Sequence, residues 1–183
     1  PYNFWWTLAI IFIWRAVFLS KPVRSNLLWA GAFSALAAAT KDQIAGAVFG
    51  LGLAILLVNP ASGQGGGMQR FKNAVSFGFA FVVTYILAAI LPHPARWVYH
   101  LNVWSLNSVR VAGFVEYPPT FMGQVSLLLD AIHDLNILLT PIGLLLIISG
   151  FVWLIRNKRW QWILFTLLPV FSYYLIVIAN IRF

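Results

Sequence analysis

Side chains able to do chemistry are few in this chain and lie in short clusters between long apolar runs. Lys41-Asp42-Gln43 interrupts an otherwise apolar stretch, 27–58. Charge in such surroundings is costly unless it pairs locally or lines a polar cavity. Two readings follow: a self-neutralising Lys41–Asp42 turn, or a Lys41 ammonium aimed at an anionic group, aided by the N–H groups that open the next helix. Between 95 and 111, a helical rotation of about 100° per residue gathers Arg96, His100, Asn107 and Arg110 in one sector and Trp97, Leu101 and Trp104 in another. That face is either solvated or an anion site, since guanidinium groups grip phosphate oxygens bidentately. Asp130 and Asp134 stand at i, i+4 with His133 beside them, a spacing that suits a divalent cation, acid–base work or plain solvation. Glu116 opens the extended turn Glu116-Tyr117-Pro118-Pro119, as a base, a substrate contact or an ordinary loop acid. Arg182 follows the last apolar run, and Arg15 is read as an interfacial anchor. Cysteine is absent, which removes disulfides, thiolate metal sites and a Cys nucleophile. No cofactor is assigned; a divalent metal stays open.

The elements that must position these groups are hydrophobic helices. Hydrophobic residues make up 61% of the 183 and charged ones 9%, with a mean hydropathy of +0.85. A soluble domain carries roughly a quarter charged residues, so the reading is all-α: a polytopic transmembrane helical bundle. A bilayer core of about 30 Å takes about 20 apolar residues as helix. Spans are predicted at 2–19, 74–92, 135–155 and 160–179. The stretch 27–58 is too long for one crossing and is read as a broken helix or hairpin, 27–39 and 43–58. Its small residues (Ala30, Gly31, Ala35, Ala38, Gly46, Gly50, Gly52) are expected to let the two halves approach closely.

Charge sets the orientation. Lys21, Arg24, Arg70, Lys72, Arg156, Lys158 and Arg159 are expected in three short loops without an acid, whereas Asp42, Glu116, Asp130 and Asp134 lie in the complementary segments. The positive-inside rule places the first set in the cytoplasm. The Lys41 break, an outer loop at 93–134 with amphipathic interfacial helices, and Arg182 then face outward. The net charge of +8 is accounted for by these flanks, so nucleic acid is not assigned as a partner. The stretch 60–69 is a flexible connector rather than a phosphate loop: Met68 stands where GxGxxG needs its third glycine. A start at Pro1 and a stop just as the last run emerges are expected of an internal fragment.

The stretch from Trp29 to Gln43 (WAGAFSALAAATKDQ) resembles the small-residue segment ending in Thr-Lys of membrane glycosyltransferases of the GT-C fold. These are polyprenyl-phosphate-sugar-dependent enzymes related to protein O-mannosyltransferases and to lipid A aminoarabinose transferase. The opening Pro1-Tyr2-Asn3-Phe4-Trp5-Trp6, the position of the outer loop and the ending Ala179-Asn180-Ile181-Arg182-Phe183 are also similar. Ala35 replaces a glycine of the family pattern, and a small residue serves the same packing. The resemblance implies sugar transfer from a lipid-linked donor to a glycan, lipid or protein acceptor at the extracytoplasmic face of a bacterial inner membrane. It places the catalytic carboxylate in a loop upstream of anything in this segment. It also makes Lys41, with Asp42, Arg96, His100, Arg110, Glu116 and Arg182, the candidate substrate contacts, Lys41 foremost.

Two other classes compete. A transporter or flippase subunit would also use a broken helix with a charged centre, but no internal repeat is detectable. A surface-polysaccharide polymerase or ligase shares lipid-linked substrates and a large outer loop, but lacks the Thr-Lys segment.

Overall fold

The computed structural model describes residues 2–19, 23–41, 44–58, 66–99, 101–102 and 120–178, with the side chains at 124, 127, 131, 134–139, 177 and 178 left aside. The described residues are helical apart from short turns, with no strand among them. In chain order they form α1 (Tyr2–Phe18), α2 (Val23–Thr40), α3 (Ile44–Leu57), α4 (Gly67–Tyr85) running into a π-helical turn (Ile86–Ile90), a short α5 at 94–99 and 101–102, α6 (Phe121–Arg156), and α7 (Trp160–Tyr173) ending in a second π turn (Tyr174–Ile178).

Three boundaries differ from the sequence reading. Helix α2 starts at Val23 rather than 27, because Asn26 and Leu27 are drawn into the interior, 4% and 1% exposed. Helix α4 starts at Gly67 rather than 74, so Arg70 and Lys72 belong to a helix and not to a loop. Its polar first turns hold themselves: Gln69 Nε2 donates to Asn73 Oδ1 (3.1 Å), and Arg70 Nη1 donates to the Leu57 carbonyl (3.2 Å) at the C-terminus of α3. The apolar run 135–155 is broken at Thr140, whose φ of 59° and ψ of 160° lie outside helical space. Pro141 follows, and a proline disfavours the α region for the residue before it. Thr140 Oγ1 then accepts from Gly143 N–H (3.4 Å), capping the second half. Among the described residues, Gly67–Ile90 alone is a helix long and apolar enough to cross a membrane; Tyr2–Phe18, Ile44–Leu57, Thr140–Arg156 and Trp160–Ile176 are shorter apolar helices.

The helices pack chiefly as α1 on α2, α2 on α4, and α3 on both α7 and α4. The small residues of 27–58 therefore serve other seams than the one expected. A Cβ on Gly31 would collide with the Phe77 carbonyl and stand 3.0 Å from Ala80 Cβ, both on α4. A Cβ on Gly50 would collide with the Leu168 carbonyl and Ser172 Oγ on α7. Ser172 Oγ donates to the Gly46 carbonyl across the same seam (2.7 Å). Each helix of the pair is thus matched by backbone proximity to a partner distant in sequence, while Lys41 only joins them.

The core gathers Ile13, Val17, Leu27, Leu51, Ile55 and Phe77, and many of the large apolar side chains point outward. Phe79 is 65% exposed, Ile142 71% and Leu146 68%. Contacts also define two ends. Phe18 stacks on Trp162 (centroids 3.7 Å apart) and Arg70 reaches Leu57, which puts the start of α7, the end of α3 and the start of α4 together. Lys41 reaches Tyr2 at the opposite end.

Candidate functional site

Helix α2 ends on Thr40 and Lys41. Lys41 N–H donates to the Ala37 carbonyl (3.0 Å), and the Lys41 carbonyl accepts from Ile44 N–H (3.0 Å), so one residue closes α2 and opens α3. Thr40 Oγ1 also donates to the Ala37 carbonyl (2.8 Å), turning its hydroxyl inward along the last turn. The Lys41 side chain is exposed, and its Nζ stands 4.9 Å from the ring centroid of Tyr2 on α1. The π face favours the ammonium without neutralising it.

On the facing side, α4 widens into the π turn: Leu91 N–H donates to the Ile86 carbonyl (2.9 Å). Such turns recur at functional sites. The turn presents Ala88 and Ala89, and α5 follows with Trp97 N–H donating to the His93 carbonyl (3.1 Å). Between these elements lies an open cleft of about 470 Å³. Lys41, His93 and Arg96 line it with Thr40 and Tyr85; Ala39, Ala45, Ala88, Ala89, Trp97 and Leu101 complete its wall. Four alanines make much of its wall apolar and shallow in relief.

Of the residues singled out in the sequence, Lys41 and Arg96 are brought to this one cleft, and Trp97 and Leu101, which the helical rotation assigns to another sector than Arg96, line it as well. Asp42, His100, Arg110, Glu116 and Arg182 lie outside the described residues. Asp130 and His133 are exposed on α6 and do not line the cleft. Arg15 lies 5.6 Å from the Phe12 ring centroid, near the other end. The sequence reading misses His93 and Tyr85. His93 has a usable signal: it precedes Arg96 by three residues, one helical turn, and is framed by Pro92 and Pro94.

Two cations and an imidazole beside a small-residue apolar wall suit an anion that carries an apolar tail. Ammonium and guanidinium groups hold phosphate oxygens and stabilise charge that develops on them. No carboxylate lines the described cleft, and no group of three His, Asp or Glu side chains able to hold a metal comes together among the described residues.

Comparison of the chain with known protein families, with curated proteins and with solved structures finds no match.

Proposed function

We propose that this chain is part of a multi-pass protein of the bacterial inner membrane that transfers a sugar from a polyprenyl-phosphate donor, with Lys41 and Arg96 receiving the donor phosphate. The observation that carries the reading is the convergence of these two cations on one apolar-walled cleft, at the end of the bundle away from the basic turns. Membrane residence is supported by the one helix long enough to cross, by the outward-facing large apolar side chains and by the segregation of basic residues to chain reversals and helix ends. The other helices would cross in part as broken or tilted elements, a form open to segments that line a cavity or pack against protein.

In the transfer, an acceptor hydroxyl attacks the anomeric carbon, the bond from that carbon to the phosphate oxygen breaks, and the hydroxyl proton passes to a base. The departing phosphate gains negative charge, which is where Lys41 and Arg96 act. His93, on the same wall, supplies a further nitrogen to the phosphate. The base is a carboxylate outside the described cleft, as the resemblance to GT-C enzymes implies.

Farnesyl phosphate and farnesol, which differ only in the phosphate, give a direct test. The detergent-solubilised chain is expected to bind farnesyl phosphate in strong preference to farnesol, and Lys41→Ala with Arg96→Ala to abolish that preference. Equal binding of both probes by the unmodified chain would remove the cleft as a phosphate site.

A further inference from the structure

A second cluster of cations lies at the opposite end, on the turn between α6 and α7, and the proposed transfer chemistry makes no use of it. Its backbone is pinned. Asn157 N–H and Nδ2 both donate to the Trp153 carbonyl (3.0 and 2.8 Å), Lys158 N–H to Ile155 (3.0 Å) and Arg159 N–H to Leu154 (2.9 Å). Lys158 takes a left-handed φ of 53°, the conformation that commonly closes a helix. The turn therefore holds Arg156, Lys158 and Arg159 at fixed backbone positions, all three exposed.

Under the turn lies a groove of about 370 Å³ lined by Trp153, Leu154, Trp162 and Arg159. The Trp162 ring is held in place by its stack on Phe18 of α1, at an interplanar angle of 13°. The three cations differ from Arg70 at the same end. Arg70 is engaged with the Leu57 carbonyl, whereas the side chains of Arg156, Lys158 and Arg159 make no ion pair among the described residues. Arg159 in an indole-walled groove, with Arg156 and Lys158 exposed on the adjoining turn, matches a ligand with a negative head on an apolar stem. Tryptophan is enriched where headgroups meet hydrocarbon, and basic pockets on the cytoplasmic side of membrane helices take anionic headgroups.

We infer that the α6–α7 turn is a binding site for an anionic phospholipid. The phosphodiester is received by Arg159 with Arg156 and Lys158, and the first part of an acyl chain lies in the groove between Trp153 and Trp162. This positive charge, without an ion pair among the described residues, selects a lipid of net negative charge over a zwitterionic one. The inference rests on the membrane part of the reading above and not on sugar transfer.

The test uses the full chain in phosphatidylcholine vesicles containing a small fraction of pyrene-labelled phosphatidylglycerol or pyrene-labelled phosphatidylcholine. Energy transfer from tryptophan to pyrene reports relative association. The chain is expected to favour the phosphatidylglycerol probe. Arg156→Gln with Arg159→Gln is expected to lower that preference roughly 30-fold, about 2 kcal/mol, from the loss of two charge-assisted contacts to the headgroup. The charge-matched pair Arg24→Gln with Lys72→Gln should change it less than about threefold, because neither residue lines the groove. Equal losses from the two pairs would overturn the site in favour of diffuse surface charge. Equal association of both probes with the unmodified chain would overturn it outright. Failure of the chain to enter the vesicles would sink the membrane reading and this inference together, whereas entry without lipid preference sinks the inference alone.

Discussion

Where α2 meets α3, Lys41 and Arg96 come from segments far apart in the chain and share one cleft with His93. At the opposite end, Arg156, Lys158 and Arg159 come from a single turn, beside a groove built largely from the two helices that the turn connects. The first arrangement exists only if α2, α4 and α5 assemble; the second needs one local turn and the α1–α7 stack that holds Trp162. The difference teaches that similar charges carry different demands on the fold. A long-range cleft is sensitive to helix packing, and a short-range turn is sensitive mainly to its own charges.

The largest expected effect breaks or keeps this contrast outright. Because the chain has no cysteine, Lys41→Cys and Lys158→Cys are each the only thiol in their variants. In sealed cells a membrane-impermeant maleimide is expected to label the first, and to label the second only after permeabilisation. Labelling of both from one side would collapse the two ends into one.

Next in size, Lys41→Ala with Arg96→Ala in the intact protein is expected to lower kcat/KM for the lipid-linked donor by roughly 100-fold, the scale of losing a donor to developing charge. Turnover unchanged at limiting donor would take both residues out of the site. Arg156→Gln with Arg159→Gln should leave donor use unaltered, which sharpens the comparison from the other end.

The seams between helices give the third test. Gly50→Val forces atoms against the Leu168 carbonyl, which cannot move without moving α7. It should cost about 1–3 kcal/mol, read as a lower Tm in detergent. Gly52→Ala faces only Phe77 Cε1 at 4.0 Å and should hold or slightly raise Tm, by up to about 1 kcal/mol from helix propensity. A Tm that fell equally in both would remove the close α3–α7 approach.

The smallest effect concerns Arg70. Arg70→Met removes the hydrogen bond to the Leu57 carbonyl and a cation near the C-terminus of α3, together about 1 kcal/mol. A Tm measured at low and high salt should show the difference shrinking with salt; a salt-independent loss would point to the packing of its stem instead.

Much of the helix plan is legible in the sequence because long apolar runs leave few alternatives. The reversal that follows Lys41 is legible from excess length and from charge amid apolar residues. Boundaries are less legible. Polarity suggests a helix end before 74, yet Gln69 and Asn73 satisfy each other along α4 and carry the helix back to Gly67. Charge divides the outer loop 93–134 from the span 135–155, although Pro141 is the stronger signal and the break falls at Thr140. In the cleft, Lys41 and Arg96 are each visible as cations amid apolar residues, but nothing in their spacing joins them. His93 escapes notice because its two flanking prolines read as a loop edge, not as the start of a helix carrying Arg96.

The sequence alone determined that the described chain is helical, where its charges concentrate and that Lys41 marks a reversal. Apolar runs of this length bury their backbone polar groups most readily as helix, and the charges have few other places to stand. Only the tertiary structure decided which helices touch. Glycine and alanine admit almost any neighbour, and the outward faces here are as apolar as the inward ones, so periodicity cannot tell them apart. The pairing of Gly31 with Phe77 and of Gly50 with Leu168 is settled by shape at a few points of backbone contact, and with it the meeting of Lys41 and Arg96.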